Sequence, residues 1–128
     1  MGRRILVPYD GSAHARRALD LAISENEAAS LVVLYVEEST TDESSDPSGQ
    51  IDTILDEARA VGKRYNREIE TQHRFGEPGE TIVEFATSND VDSIVMGSRG
   101  RSKPQQPTPG SVANAVIERS PITVTIVR

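Results

Sequence analysis

Leu31-Val32-Val33-Leu34-Tyr35-Val36 is apolar at every position. A strand sends successive side chains to opposite faces, so a run without alternation needs cover on both. That is the situation of a central strand in a parallel sheet. The sequence on either side agrees. Ala15, Ala18, Leu19, Ala22 and Ile23 fall at the i, i+3, i+4, i+7, i+8 spacing of one helical face, and Ser12 is placed to cap the first turn. Before them, Ile5-Leu6-Val7 reads as a short buried strand stopped by Pro8. After the apolar run, Glu37 to Gln50 (EESTTDESSDPSGQ) contains no apolar residue and is expected to be a mobile loop.

Further along, Ile51, Ile54, Leu55, Ala58, Val61 and Tyr65 restore the helical period. Glu68 to Phe75 alternates, with Ile69, Thr71, His73 and Phe75 on one face, which suits an edge strand. Pro78 stands where a first helical turn begins, and Ile82, Val83, Phe85 and Ala86 supply that helix with a buried face. Asp92 to Met96 is a further short central strand, a last helix is expected from Ser111 to Arg119, and Ile122 to Val127 forms the final strand. Strands alternating with helices in this way give an α/β fold, a parallel sheet with helices on both faces, organised as one domain over residues 1–128. Ligands of such sheets sit outside the carboxyl ends of the strands. The segments to question are therefore Pro8–Ser12, Val36–Glu38, Phe75–Gly79 and the chain from Gly97 onward.

Composition narrows the chemistry. The 128 residues contain no Cys, which excludes disulfides, thiolate metal sites and a cysteine nucleophile. No apolar run approaches the roughly 20 residues needed to cross a bilayer. The N-terminus runs directly into a core strand without the features of a signal peptide. A soluble, cytoplasmic protein with no membrane contact is expected. Twenty acidic against 14 basic residues give a net charge of −6, which argues against the basic stripe that nucleic-acid binding requires. Twelve of the basic residues are Arg, and only Lys63 and Lys103 are Lys. An acidic, Lys-poor surface suits high salt and is equally ordinary for a bacterial cytosolic protein.

The richest strand exit is Gly97-Ser98-Arg99-Gly100, followed nine residues later by Gly110-Ser111 at the start of the last helix. Glycines allow close backbone approach to phosphate oxygens, and a helix N-terminus offers unpaired N–H groups and the positive end of the dipole. Ser111 adds a hydroxyl, and Arg99, Arg101 and Lys103 add cations. The segment reads as an anion-binding loop, although the same glycines also serve a plain strand end and helix cap. There is no GxxxxGK[ST] and no GxGxxG after the first strand, so P-loop and dinucleotide folds lack support. At the first exit, Asp10 has two remaining roles, contact with a nucleoside or simple capping of the turn. A haloacid-type phosphatase would need a second Asp where Ser12 stands. A receiver domain would need its acceptor Asp at the third strand's exit, where the chain has Phe75-Gly76-Glu77.

The pattern Gly97-x2-Gly100-x9-Gly110-Ser111 resembles the nucleotide loop of the universal stress protein family. ILVPYDGS at the first strand, IVMGSRGRS at the fourth-strand exit and GSVANAVIERSPITVTIVR at the C-terminus resemble the family in order along the whole chain. The resemblance implies a five-stranded parallel sheet in order 3-2-1-4-5, Rossmann-like and of the adenine-nucleotide alpha-hydrolase type. It further implies ATP, or else AMP or ADP, across the exits of strands one and four. Asp10, with Ser12 beside it, would contact the adenosine; Pro8 would wall the base; Val36 would meet adenine through its backbone; Gly97 would lie near the ribose. Arg99, Gly100, Gly110, Ser111 and Val112 would hold the phosphates, with Mg2+ or Mn2+ alongside. Family members of this type act as stress-response sensors or regulators with at most slow hydrolysis.

One stretch departs from the family. Between the second and third glycines stand Pro104, Pro107 and Pro109, where the family carries apolar residues in a short helical turn. Prolines lack the N–H donor and disfavour helix, so this loop is expected to be extended and less preorganised. That motivates an alternative, a nucleotide-free dimeric interaction module of the same family, with a protein partner that the sequence does not identify. The remaining polar residues are read as ordinary. His14 is expected to face solvent on the first helix, and His73 to be structural. The acidic run Glu37, Glu38, Asp42, Glu43 and Asp46 is expected to be solvated. The last strand, Ile122 to Val127, belongs at a sheet edge, where an unpaired ladder invites a second strand. With the resemblance, this gives a homodimer through that strand.

Overall fold

The computed structural model describes residues 3–38, 49–98 and 110–128. The chain runs β1 (Arg4–Pro8), α1 (Ala13–Glu25), β2 (Ser30–Glu37), α2 (Gln50–Arg64), β3 (Glu70–Phe75), α3 (Pro78–Ser88), β4 (Ser93–Gly97), α4 (Ser111–Arg119) and β5 (Thr123–Val127). The strands form one parallel sheet in the order β3-β2-β1-β4-β5. β2 is flanked by β1 and β3, with Ile5 opposite Leu31 and Val33 opposite Thr71. Leu31 to Tyr35 are all buried, as an unbroken apolar run requires.

Two cores lie on the two faces of the sheet. Ile5, Val7, Leu31, Val33 and Tyr35 pack with α1 and α2, and Leu6, Val32, Leu34, Ile94 and Met96 pack with α3 and α4. The division follows from the connections. Strands β1, β2 and β3 are laid down in one direction, and the chain then returns to lay β4 and β5 in the other. Crossovers of one hand place helices on opposite faces when the direction reverses. Helix α1 buries Ala15, Ala18, Leu19, Ala22 and Ile23, and α2 buries Ile51, Ile54, Leu55, Ala58 and Val61. These are the residues that the periodicity placed on those faces.

Small differences from the sequence reading occur at element ends. β1 continues through Pro8, which pairs with Leu34, because the missing N–H of a terminal proline costs the ladder little. Glu37 ends β2 and Gln50 opens α2, so both ends of the expected acidic loop belong to regular elements, and residues 39–48 of that expectation lie outside the described residues. β3 has no buried residue and forms one edge of the sheet, while β5 forms the other. His73 is exposed, with its ring perpendicular to that of Phe75 at 5.7 Å. Among the described residues no helix is long and apolar enough to cross a membrane.

Candidate functional site

The order β3-β2-β1-β4-β5 puts the reversal between β1 and β4, and the chain leaving these two strands diverges. The turn after β1 is built by local hydrogen bonds. Tyr9 N–H donates to Leu34 O at 2.9 Å, extending the β1–β2 pairing by one residue. Gly11 takes φ +84°, a left-handed conformation that favours glycine. The Ser12 N–H donates to Asp10 Oδ1 at 2.9 Å, and the Ser12 hydroxyl accepts from Ala15 N–H at 3.2 Å to cap α1. Capping of the turn by Asp10, one of its two sequence roles, is therefore observed.

The exit of β4 is closed by tertiary contacts. A Cβ on Gly97 would lie 2.7 Å from both the carbonyl carbon and the Cβ of His14. Glycine is needed here so that the first turn of α1 can lie against the strand. Ser98, 3% exposed, donates its N–H to Val127 O at 2.8 Å and accepts the Gly110 N–H at 2.8 Å. Its hydroxyl lies 3.1 Å from His14 Nδ1. The expectation that His14 faces solvent is thus corrected. The close approach of α1 to Gly97 leaves His14 half-buried against β4, with Ser98 as its polar partner. The Ser98–Gly110 bond makes a closed neck at which the segment 99–109 departs and returns.

Beyond the neck, among the described residues, α4 begins without the side-chain cap that α1 and α3 have. α1 is capped by the Ser12 hydroxyl and α3 by the Glu77 carboxylate, which accepts from Glu80 N–H at 2.7 Å. α4 has Gly110 at its N-cap, no side-chain cap and no acidic residue in its first turn. Its first backbone bond runs from Asn114 N–H to Gly110 O. Ser111, Val112 and Ala113 precede that bond and line the cleft. An uncapped helix start carries partial positive charge and favours an anion.

These exits enclose a cleft of about 290 Å³, near the lower end of the about 300–1,000 Å³ typical of small-molecule sites. Pro8, Leu34, Val36, Pro78, Ile82 and Met96 give it an apolar wall, while Asp10, Ser98 and Ser111 supply polar groups. Such a cleft can hold an apolar or aromatic ring beside a hydrogen-bond acceptor and an anion at a helix start. Of the residues singled out from sequence, Pro8, Asp10, Val36, Gly97, Gly110, Ser111 and Val112 all line it. Ser12 is not among the lining residues and serves as the α1 cap. Arg99 and Gly100 lie outside the described residues.

Tyr9, Pro78 and Ser98, which lie in the strand exits questioned from the sequence but were given no binding role, also line the cleft, as do Ala15, Leu34, Ile82, Met96 and Ala113, which the sequence reading did not place at the site. Leu34 was accessible as the residue two before Val36, on the same side of β2, and Ser98 as the neighbour of Gly97. Ile82 and Met96 carry the apolar signature of any core residue. Tyr9 has a particular environment. Its ring belongs to the α1/α2 core and its hydroxyl donates to Glu57 Oε1 at 3.1 Å. Burial first, then the charge and hydrogen bond of Glu57, push its phenol up to about 12, with Arg16 opposing and Asp10 adding slightly. Tyr9 therefore keeps its proton and stands as the hydrogen-bond donor to Glu57. Among the described residues no group of three His, Cys, Asp or Glu is gathered that could hold a metal ion.

Comparison with known proteins accords with this architecture. The Universal stress protein family model matches residues 1–128. Universal stress protein YxiE of Bacillus subtilis is 30% identical over 148 residues, covering all of both chains. Among solved structures, a universal stress protein from Archaeoglobus fulgidus superposes with a TM-score of 0.82 at 26% identity, covering all of both chains. A universal stress protein in complex with cAMP superposes with a TM-score of 0.78 at 28% identity, covering 98% of this chain and 97% of the other. A five-stranded sheet in the order 3-2-1-4-5, matched along its whole length by these proteins, leaves one assignment: the chain belongs to the universal stress protein family.

Proposed function

We propose that this protein binds an adenine nucleotide, ATP foremost, in the cleft between the exits of β1 and β4, and acts as a stress-response sensor or regulator. The observation that carries the reading is the meeting of the uncapped α4 N-terminus with an apolar wall and Asp10 in one cleft at the strand-order reversal. The relative in complex with cAMP supports the adenine-nucleotide class. In this reading Pro8 and Val36 flank the base, Asp10 contacts the nucleoside, Gly97 lies near the ribose, and Gly110, Ser111 and Val112 meet the phosphates. Arg99 and Gly100 join them by analogy with the family. Mg2+ or Mn2+ would arrive with the phosphates, since such ions are commonly held by phosphate oxygens, waters and one or two carboxylates. Engagement of phosphate at Gly110, Ser111 and Val112 would then change the surface shown to partners. A homodimer through β5, an edge strand, belongs to the same proposal. A sedimenting monomer at micromolar concentration would overturn that part.

The test is thermal unfolding with and without magnesium ATP, with GTP and AMP alongside, at low and at molar potassium chloride. Ligand at about 100 times its dissociation constant adds about 2.7 kcal/mol, or several degrees. The expected result is an adenine-selective rise, lost in Asp10→Ala and in Gly110→Val. A flat response in both salts, from protein free of carried-over nucleotide, would favour the second reading, a dimeric interaction module without nucleotide. Pro104, Pro107 and Pro109 motivate that alternative.

A further inference from the structure

The segment Pro8-Tyr9-Asp10 forms one wall of the cleft, yet its middle residue is anchored on the other side of the sheet. Apart from Tyr9 and Ala15, the buried apolar lining belongs to the α3/α4 core: Leu34, Ile82, Met96 and Ala113. The Tyr9 ring instead packs with Ile5, Val7, Ile54 and Ala58 in the α1/α2 core, and only 3% of the residue is exposed. Its hydroxyl emerges at α2, where it donates to Glu57 Oε1 at 3.1 Å. The same carboxylate oxygen lies 3.9 Å from the position a Cβ would take on Gly11, and Ile54 Cγ1 lies 3.7 Å from it. Helix α2 therefore holds the β1–α1 turn through Tyr9 and runs beside Gly11. That turn holds Asp10 in the cleft.

We propose that Tyr9 and Glu57 are a pair of positioning residues that fix the β1 exit from behind the sheet and couple occupancy of the cleft to the seating of α2. The inference rests on the nucleotide reading given above. Neither side chain needs to touch the ligand. Tyr9, a lining residue of the cleft, supplies a stiff aromatic lever, and Glu57, an exposed residue of α2, holds its far end. An occupied cleft restrains Pro8 to Asp10, and the lever passes that restraint to α2. Helix α2 would thereby serve as a second face, on the side of the sheet away from most of the cleft, on which ligand state is displayed.

The experiment compares wild type with Tyr9→Phe, Glu57→Ala, the double variant and Glu57→Gln. ATP affinity is measured by calorimetry and amide hydrogen exchange is followed in α2. Tyr9→Phe and Glu57→Ala should each lose about three- to tenfold in affinity. That is a fraction of the roughly ten- to hundredfold that a whole hydrogen bond to a charged acceptor represents, because only part of it reaches the cleft. The double variant should be no weaker than the worse single, because both remove the same link. Glu57→Gln keeps an acceptor while removing the charge, and is expected to hold affinity close to wild type. In wild type, ATP should slow exchange of α2 amides, and in Tyr9→Phe it should not. Variants that melt earlier but bind ATP as wild type does would overturn the pairing and leave the nucleotide reading standing. Wild-type protein that binds no nucleotide at all would overturn both.

Discussion

The two ends of the sheet make opposite uses of polar groups. At the amino ends of β1, β2 and β3 lies a second cleft, of about 510 Å³, with Arg4, Arg59, Lys63, Arg67, Glu68 and Glu70 in its lining. By volume and charge it looks the better anion site. Its guanidinium groups, however, are already engaged. Arg67 donates to the carbonyls of Ile23, Asn26 and Ala29 at 3.2, 3.1 and 2.7 Å, closing the end of α1 and the turn into β2. Arg4 donates to Asn89 O at 2.9 Å and to Glu70 at 3.2 Å, and Arg59 bonds Thr71 and Asp56. At the carboxyl ends the cleft is smaller and, among the described residues, less charged, and no described side chain caps the start of α4. Hydrogen-bonding capacity that the fold has not consumed distinguishes the two ends better than size does.

Substitutions should separate the ends, affecting stability alone at one and ligand binding at the other. The largest effect is expected where both properties meet. Gly97→Val would force atoms into the backbone of His14, 2.7 to 2.9 Å from the first added carbon. That overpacking should cost about 3 kcal/mol and abolish ATP binding, measured by urea unfolding and calorimetry. Unchanged stability would show that α1 does not fix this glycine. Next, Arg67→Met leaves three carbonyls to find water, at a cost of about 2 kcal/mol. It should leave ATP affinity as in wild type, and a parallel fall in affinity would break the distinction between the ends.

The sheet was legible because its signals are local. The unalternating run Leu31–Val36 and the spacing of Ala15, Ala18, Leu19, Ala22 and Ile23 each state their environment within a few residues. Helix starts were legible too, since Ser12 and Pro78 act through adjacent backbone. The candidate cleft was legible where glycine or charge stands at a strand exit, as at Gly97 and Asp10. Of its apolar lining, Pro8, Val36 and Val112 were named only through the family resemblance, and Leu34, Ile82 and Met96 were missed. Met96 and Ile82 carry the pattern of core residues, and only the tertiary packing of the α3/α4 core brings them together at a cleft. His14 was misread because the partner that draws it inward, Ser98, is 84 residues away. Arg67 likewise showed nothing of the three carbonyls it would bind, as no local period encodes such a bond.

The remaining effects are smaller and depend on pH. Tyr9 keeps its proton up to about 12 in the folded protein against an ordinary value of 10. Between those values the folded state binds more protons than the unfolded one, so stability falls as pH rises, by roughly 2 kcal/mol across the interval. Tyr9→Phe should flatten this alkaline limb in denaturant titrations. An undiminished slope would assign it to other groups. The weakest effect belongs to the amino end. Burial alone would raise the Glu70 carboxyl, but hydrogen bonds from Arg4 and Gln72 and the Arg4 charge outweigh it and hold it below the ordinary range. A lowered carboxyl contributes stability above its unfolded value and loses it as pH falls through the folded one. Because the Arg4–Glu70 pair is partly exposed, Glu70→Gln should cost below about 1 kcal/mol at neutral pH. The difference from wild type should close on acidification, with ATP affinity unaltered at neutral pH. Were Glu70→Gln to weaken ATP binding, the amino-end ion pairs would be acting on the cleft through the length of β1, and the two ends could no longer be treated as separate.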